Sequence, residues 1–336
     1  MKYVSFPGRT GIESEAAMAR TRYATDRGLI ARMGATMFLI GLVFTAFIIV
    51  VVLLLTRYSN IGNGGIIFIA VLLGAAMAFG SYYWSDRIAL ATANARLVSP
   101  QQAPELHGVV DRLCALADMP KPRVAIAPTD MPNAFATGRS SKVAVLCVTQ
   151  GLLTRLDRNE LEGVLAHEMS HIAHKDVAVM TIASFIGIIA ALMVRFAFYS
   201  ELFGGGRGRG RIRGGGNQNA LPVILVIMLV GMVVYAISFL LIRMLSRYRE
   251  LSADRSGALL TGQPSALASA LVKVSGEMAR IPTRDLRAAE PLNAFFFTPA
   301  LSTRRGEMSL SALFSTHPSL DKRLKALDKI SRQLSR

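Results

Sequence analysis

Four long apolar stretches dominate the pattern of the chain: Met33 to Leu55, Ile66 to Trp84, Val177 to Tyr199 and Ala220 to Ile242. Three of them carry no charged residue, and the third carries only Arg195, close to its far end. About 20 helical residues suffice to cross a hydrocarbon core of about 30 Å, so each stretch predicts a spanning helix. The first begins too late and runs too long for a cleaved signal peptide and reads as a retained anchor. Between these stretches the pattern changes. Pro104 to Ala117 has the spacing of an amphipathic helix, Arg123 to Ile126 and Val143 to Val148 read as short strands, and a long helix is expected from Arg158 onward.

This pattern divides the chain into a polar N-terminal tail (1–32), a pair of membrane helices (33–84), a first polar region (85–176), a second apolar hairpin (177–242) and a second polar region (243–336). The two polar regions together have the size of one ordinary domain, interrupted by the hairpin. No internal repeat is evident.

Composition agrees with a membrane setting. The 336 residues are 52% hydrophobic and only 18% charged, which excludes both intrinsic disorder and a water-soluble domain of usual composition. The formal charge of +16 raises nucleic acid or an anionic membrane surface as partner. Only one tract suggests RNA: Gly204 to Asn219, with Arg207, Arg209, Arg211 and Arg213. It is short and lacks interleaved aromatics, so it reads as a solvated connector, and no nucleic-acid partner is expected. The bilayer is the expected partner, with the basic residues flanking its anionic face.

Arg20, Arg22, Arg27 and Arg32 precede the first apolar run, Arg57 lies in the turn after it, and Arg87 and Arg96 follow the second run. By the positive-inside rule both polar regions are cytoplasmic. Parity then puts the Arg-rich connector outside, against the same rule, and this leaves full crossing by the third and fourth runs open.

Cys114 and Cys147 have no CxxC spacing, so a metal would have to be held by histidines and carboxylates. The segment ELEGVLAHEMSHIAHKDV supplies His167, Glu168 and His171 in the order H-E-x-x-H. Four residues advance a helix by about 400° and 6 Å, so both imidazoles project from one face and can share a tetrahedral zinc ion. Glu168, one position round, can act as general base on a water at the metal. One Zn2+ per chain is expected. Chance matches to five residues do occur, yet this one sits among Leu161, Val164, Leu165, Met169 and Ile172, as a buried site-bearing helix should.

A third protein ligand is still required. His174 lies about 10.5 Å along the helix axis from His167, too far for three imidazoles of one straight helix to converge, and reads as a supporting residue. Glu250 is the better candidate, with Asp254 one turn later to orient a ligand imidazole. Taken alone, Glu250 and Asp254 read as a charged helix surface paired with Arg247 or Arg255. Depth turns the reading toward ligands. His171 lies six residues before the third apolar run and Glu250 eight after the fourth. If both helices continue unbroken, each ligand sits roughly 9 to 12 Å beyond the membrane boundary.

HEMSH, RELSADR, MPNAFATG and FSTHPSLDKRLKAL, together with the paired apolar helices, resemble the HtpX family of membrane-bound zinc metalloproteases, and more distantly the CAAX prenyl proteases. The resemblance covers roughly Met33 to the C-terminus. It implies a mainly α fold, with membrane-embedded helices plus a zincin-like metalloprotease domain containing a small β-sheet. It further implies an endopeptidase of the bacterial inner membrane, multi-pass, with a cytoplasmic catalytic domain, acting on misfolded or damaged membrane proteins. His167, His171 and Glu250 correspond to the family's metal ligands, Glu168 to its general base and Asp254 to the acidic residue one turn after the ligand.

Asn133, Ala134, Phe135, Ala136, Thr137 and Gly138 resemble the family's strand bordering the cleft, which a substrate can join by backbone pairing. By residue type alone they also read as a surface turn with a buried Phe135. His317 and Arg323 resemble a C-terminal element that approaches the active site, where either could stabilise an oxyanion. The competing reading is a helix start around Thr316 and Pro318. Three rival functions remain: a specific processing protease, a noncatalytic membrane scaffold with a structural zinc, and a small transporter. Glu168 argues against the scaffold. The near-absence of ionisable residues in the apolar runs argues against the transporter.

Overall fold

The computed structural model describes residues 27–58, 82–176, 220–280 and 317–335, with isolated positions at 72, 76, 79, 80, 179 and 180. Most of the second apolar run, nearly all of the third and the Gly/Arg connector fall outside the described residues. So does most of the polar tail.

Helix α1 spans Arg27–Tyr58 and extends beyond both ends of the first apolar run. A short helix α2 (Ser85–Thr92) leads into the two-residue strand β1 (Arg96–Leu97). Helix α3 (Pro104–Ala117) starts with Pro near its first position, where no N–H is needed, and stops at Asp118 in a left-handed conformation. Three strands follow: β2 (Arg123–Ala127), β3 (Ala134–Thr137) and β4 (Val145–Thr149). The predicted strands at 123 and 143 are thus present, each with slightly shifted ends. The sheet order is β1-β2-β4-β3, with β2 and β4 parallel and the two outer pairings antiparallel. Every residue of β4 is buried, as the central position requires.

Thr149 caps helix α4 (Gln150–Arg155) by accepting from the Leu152 N–H. Asp157 caps helix α5 (Arg158–Ala173) in a reciprocal capping box with Glu160. The Glu160 carboxylate also accepts from Ser269 and Lys273 of helix α7 (Pro264–Arg280), so one residue ties two helices together. Helix α6 (Ala220–Thr261) runs unbroken for 42 residues, from the fourth apolar run into the second polar region. Helix α8 (Leu320–Leu334) is the last among the described residues.

Among the described residues, two helices are long and apolar enough to cross a membrane: α1, over Ile30–Phe47, and α6, over Leu229–Thr261. They pack on one another through Ile40, Leu241 and Leu245, so the first and fourth apolar runs are neighbours. The polar regions share a core in which Leu113, Leu146 and Val148 meet Leu165 and Met169 of α5, Leu267 and Leu271 of α7, and Leu327 of α8. The mainly helical architecture with a small sheet is the one the sequence led us to expect. One expectation fails. The chain does not continue straight from α5 toward the third apolar run, because α5 ends at Ala173 and Lys175 takes a left-handed φ of 56°. For an L-residue that conformation interrupts a right-handed helix and redirects the backbone.

Candidate metal centre

Helix α5 carries His167, Glu168 and His171 and is buried over most of its circumference. It passes beneath β3 on one side and against α6 on the other. The crossing with α6 depends on Gly257, where a Cβ would lie 2.9 Å from the His167 backbone nitrogen. Only a residue without a side chain lets the two backbones approach so closely. Gly257 stands three positions beyond Asp254, so this contact sets how deeply the acidic turn of α6 reaches the two histidines.

The ligand atoms of His167, His171 and Glu250 all lie within 4.8 Å of one another. His167 Nε2 is 3.6 Å from Glu250 Oε2, and His171 Nε2 is 3.6 Å from Glu250 Oε1. Those separations are too long for hydrogen bonds but close to the edge of a tetrahedron with bonds of about 2.0–2.1 Å.

The opposite ring nitrogens support the same assignment. His167 Nδ1 lies 2.9 Å from Asp254 Oδ1, and His171 Nδ1 forms a short hydrogen bond with Asp176 Oδ2. With a carboxylate on each Nδ1, both tautomers leave Nε2 as the electron-pair donor facing Glu250. Two imidazoles and one carboxylate suit zinc, and the residues present therefore fit the ion that the sequence motif calls for.

Both orienting carboxylates are themselves held. Arg323 donates from Nε to Asp254 Oδ2 at 2.8 Å and from Nη2 to Oδ1 at 2.6 Å, a bidentate fork with Asp254 fully buried and Arg323 only 1% exposed. Arg249 Nε approaches Asp176 Oδ2 at 3.0 Å. Asp176 and Arg249 escaped the sequence reading. The only signal was an acidic residue five positions after His171, and its return to that imidazole depends on the left-handed turn at Lys175.

Arg323 is therefore a positioning residue, with two of its nitrogens committed to Asp254. Its Nη1 lies 4.0 Å from Glu250. His317 brings Nδ1 to 3.1 Å from Glu250 Oε2. A helix also starts beside it, since Ser319, directly after Pro318, is the N-cap of α8, while Thr316 lies outside the described residues. His174 is the C-terminal cap residue of α5 and is no part of the donor set.

The segment 133–138 is no surface turn. Asn133 and Phe135 are buried, and Ala134–Thr137 forms the edge strand β3. Thr149 N–H donates to Asn133 O, so Asn133 turns its backbone toward β4, and by alternation Ala134 and Ala136 turn theirs to the free edge. There the Ala136 N–H donates to Glu168 Oε2 at 3.1 Å. The carboxylate of the motif thus touches the edge of the strand. Gly138 follows with a φ of 114°, where a Cβ would also clash with Ala144.

Burial alone would lower the basicity of His167, but the Asp254 carboxylate on its Nδ1 and the nearby Glu250 carboxylate push its pKa up to about 9. Burial raises the Glu168 carboxyl above its ordinary range, against the lowering effect of His167 and His171. Burial would also raise Asp176, yet Arg249 and His171 hold it below the usual carboxylate range.

A motif helix beneath an edge strand, with two imidazoles and a carboxylate from a second helix converging on one point, is the arrangement of a metallopeptidase. Residues 100–331 match Peptidase family M48, and the chain belongs to that family. It is 56% identical to Protease HtpX homolog 1 of Streptomyces coelicolor over 94% of this chain and 97% of the relative. It is 49% identical to the Protease HtpX homolog of Moorella thermoacetica over 94% of this chain and 98% of that protein. The fold is also similar to the crystal structure of S. mikatae Ste24p, with a TM-score of 0.50 and 17% identity. That match covers 84% of this chain and 62% of the Ste24p chain.

Proposed function

We propose that this chain is a membrane-bound zinc endopeptidase that hydrolyses misfolded or damaged membrane proteins from the cytoplasmic side of the bacterial inner membrane. The observation that carries the reading is the contact between Glu168 and the free edge of β3. It couples the proton-transfer residue to the place where an extended chain would bind.

A substrate segment aligned with β3 would be held through backbone hydrogen bonds at Ala134 and Ala136. Such bonds ignore side-chain identity and suit an enzyme that accepts many unfolded sequences. His167, His171 and Glu250 would hold the zinc, which when bound supplies Lewis acidity and lowers the pKa of water. Glu168 accepts the proton of the attacking water and passes it to the leaving amine, a cycle for which its raised pKa is suited. His317, whose Nδ1 lies 3.1 Å from Glu250 Oε2, would support the oxyanion. The two long apolar helices support the membrane location, and the basic residues flanking the early runs support the cytoplasmic orientation.

The test compares wild type with Glu168→Gln, both purified in detergent, for zinc content and for cleavage of an unfolded model protein. The expected result is about one zinc per chain in both, with cleavage only by wild type and a loss of at least roughly a hundredfold in the variant. Zinc binding without cleavage by wild type, in an assay where another family member is active, would instead support a noncatalytic scaffold.

A further inference from the structure

A cluster of basic residues gathers at a cavity whose lining shares no residue with the donor set. A cavity of about 440 Å³ opens between the end of the second apolar run and the sheet, within the size range of small-molecule sites. Its polar lining consists of Arg87, Arg123, Arg139 and Lys142 against the single carboxylate Asp86, which leaves a net charge of +3. Asp86 is already committed to Arg123, whose Nη2 lies 2.7 Å away. Arg87 and Lys142 are exposed and have no ion-pair partner among the described residues. Arg139 lies with its guanidinium 4.8 Å from the centre of the Tyr83 ring, which fixes one cation at the wall.

The other wall identifies the level at which this cavity sits. Tyr83 and Trp84 close the apolar run and are 41% and 52% exposed. Aromatic residues at the end of an apolar helix mark the headgroup region of a bilayer, and the cations begin immediately beyond them. A soluble anion site would gain nothing from two exposed aromatic rings on its rim. A headgroup whose acyl chains continue along the apolar run would use both the rings and the charges.

We infer that this cavity binds the phosphate headgroup of an anionic phospholipid at the cytoplasmic face. Arg87 and Lys142 supply the uncommitted charge, Arg139 and Tyr83 form the wall, and Trp84 borders the acyl region. The inference rests on the membrane-bound reading above and is independent of its hydrolytic part. Arg139 directly follows Gly138, so the occupied headgroup would lie at the end of the segment that carries β3.

The full chain in a nonionic detergent is titrated with dioctanoyl phosphatidylglycerol, dioctanoyl phosphatidylcholine and inorganic phosphate, with binding read by native mass spectrometry. Wild type is expected to prefer phosphatidylglycerol over phosphatidylcholine, and the double variant Arg87→Gln/Lys142→Gln to bind it roughly ten- to thirtyfold more weakly. The charge-preserving swap Arg87→Lys/Lys142→Arg is expected to retain binding, which separates lost charge from a damaged fold. Unchanged phosphatidylglycerol affinity in the double variant would overturn the site. Equal affinity for inorganic phosphate and phosphatidylglycerol would overturn its lipid assignment. Wild type that stays soluble and monodisperse without detergent would overturn the membrane reading itself, whereas lost selectivity in a detergent-dependent protein would overturn the site alone.

Discussion

The two histidines of the metal centre stand one helical turn apart and are held in different ways. His167 is 1% exposed at its side chain and backed by Asp254 and Arg323, so its support comes from two helices distant in sequence. His171 is 12% exposed and backed by Asp176, five residues away, with Arg249 behind it. One arm is built by tertiary packing and the other largely by a local turn. The difference teaches that the same chemical need, a carboxylate on the distal imidazole nitrogen, can be met with very different consequences for folding.

The largest expected effect falls on the buried arm. Arg323→Met leaves Asp254 charged and buried without its fork and should destabilise the protein by about 3–5 kcal/mol, measurable by denaturant unfolding in detergent. A loss below about 1 kcal/mol would show that the fork is dispensable and that the contrast between the arms is only geometric.

Next in size are the orienting carboxylates. Asp254→Asn should weaken zinc binding by about a hundredfold and Asp176→Asn by about tenfold, within the range for residues that orient a ligand imidazole. Competition with a chromogenic chelator would rank them. The reverse order would mean that local wiring matters more than burial.

pH separates the arms further. In chelator-treated protein the raised pKa of His167 means that its charged form contributes stability fully below its ordinary 6.5, and the contribution is lost as pH rises through about 9. Zinc must displace that proton, so zinc affinity should climb across the same window. Asp254→Asn should flatten this dependence, while Asp176→Asn should leave most of it, as metal titrations from pH 6 to 9 would reveal.

The smallest effect is expected at Arg332, on the exposed part of the helix that carries Arg323. Its pair with Asp328 is largely solvated, so Arg332→Ala should cost less than about 1 kcal/mol in the same unfolding assay. A cost comparable to that of Arg323→Met would point to a general weakness of α8 rather than a special role for the buried fork.

Much of this site could be read from one-dimensional spacing. His167 and His171 share a face because a helix repeats every 3.6 residues, and Glu250 and Asp254 do so for the same reason. Helix α3 and the strands near 123 and 143 were visible in their apolar patterns. Asp176 was not, because its use depends on the positive φ at Lys175, a local conformation that residue type does not announce. Gly257 was not, because a glycine in a helix shows its purpose only when the neighbouring backbone is in place. Arg323 was recognised as belonging near the site, but its partner was not, since a guanidinium can serve either an oxyanion or a carboxylate.

By itself, then, the sequence determined what periodicity and composition determine: apolar runs long enough to span, a motif helix with two imidazoles on one face, and a donor set that excludes cysteine. Tertiary structure decided which carboxylate meets which imidazole, that the motif's Glu168 reaches the edge of β3, and that the cations around the cavity gather beside Tyr83 and Trp84. The physical reason is range. A helical repeat is set by backbone hydrogen bonds within a few residues, whereas the pairing of Asp254 with Arg323 joins positions 69 residues apart and exists only once the helices have packed.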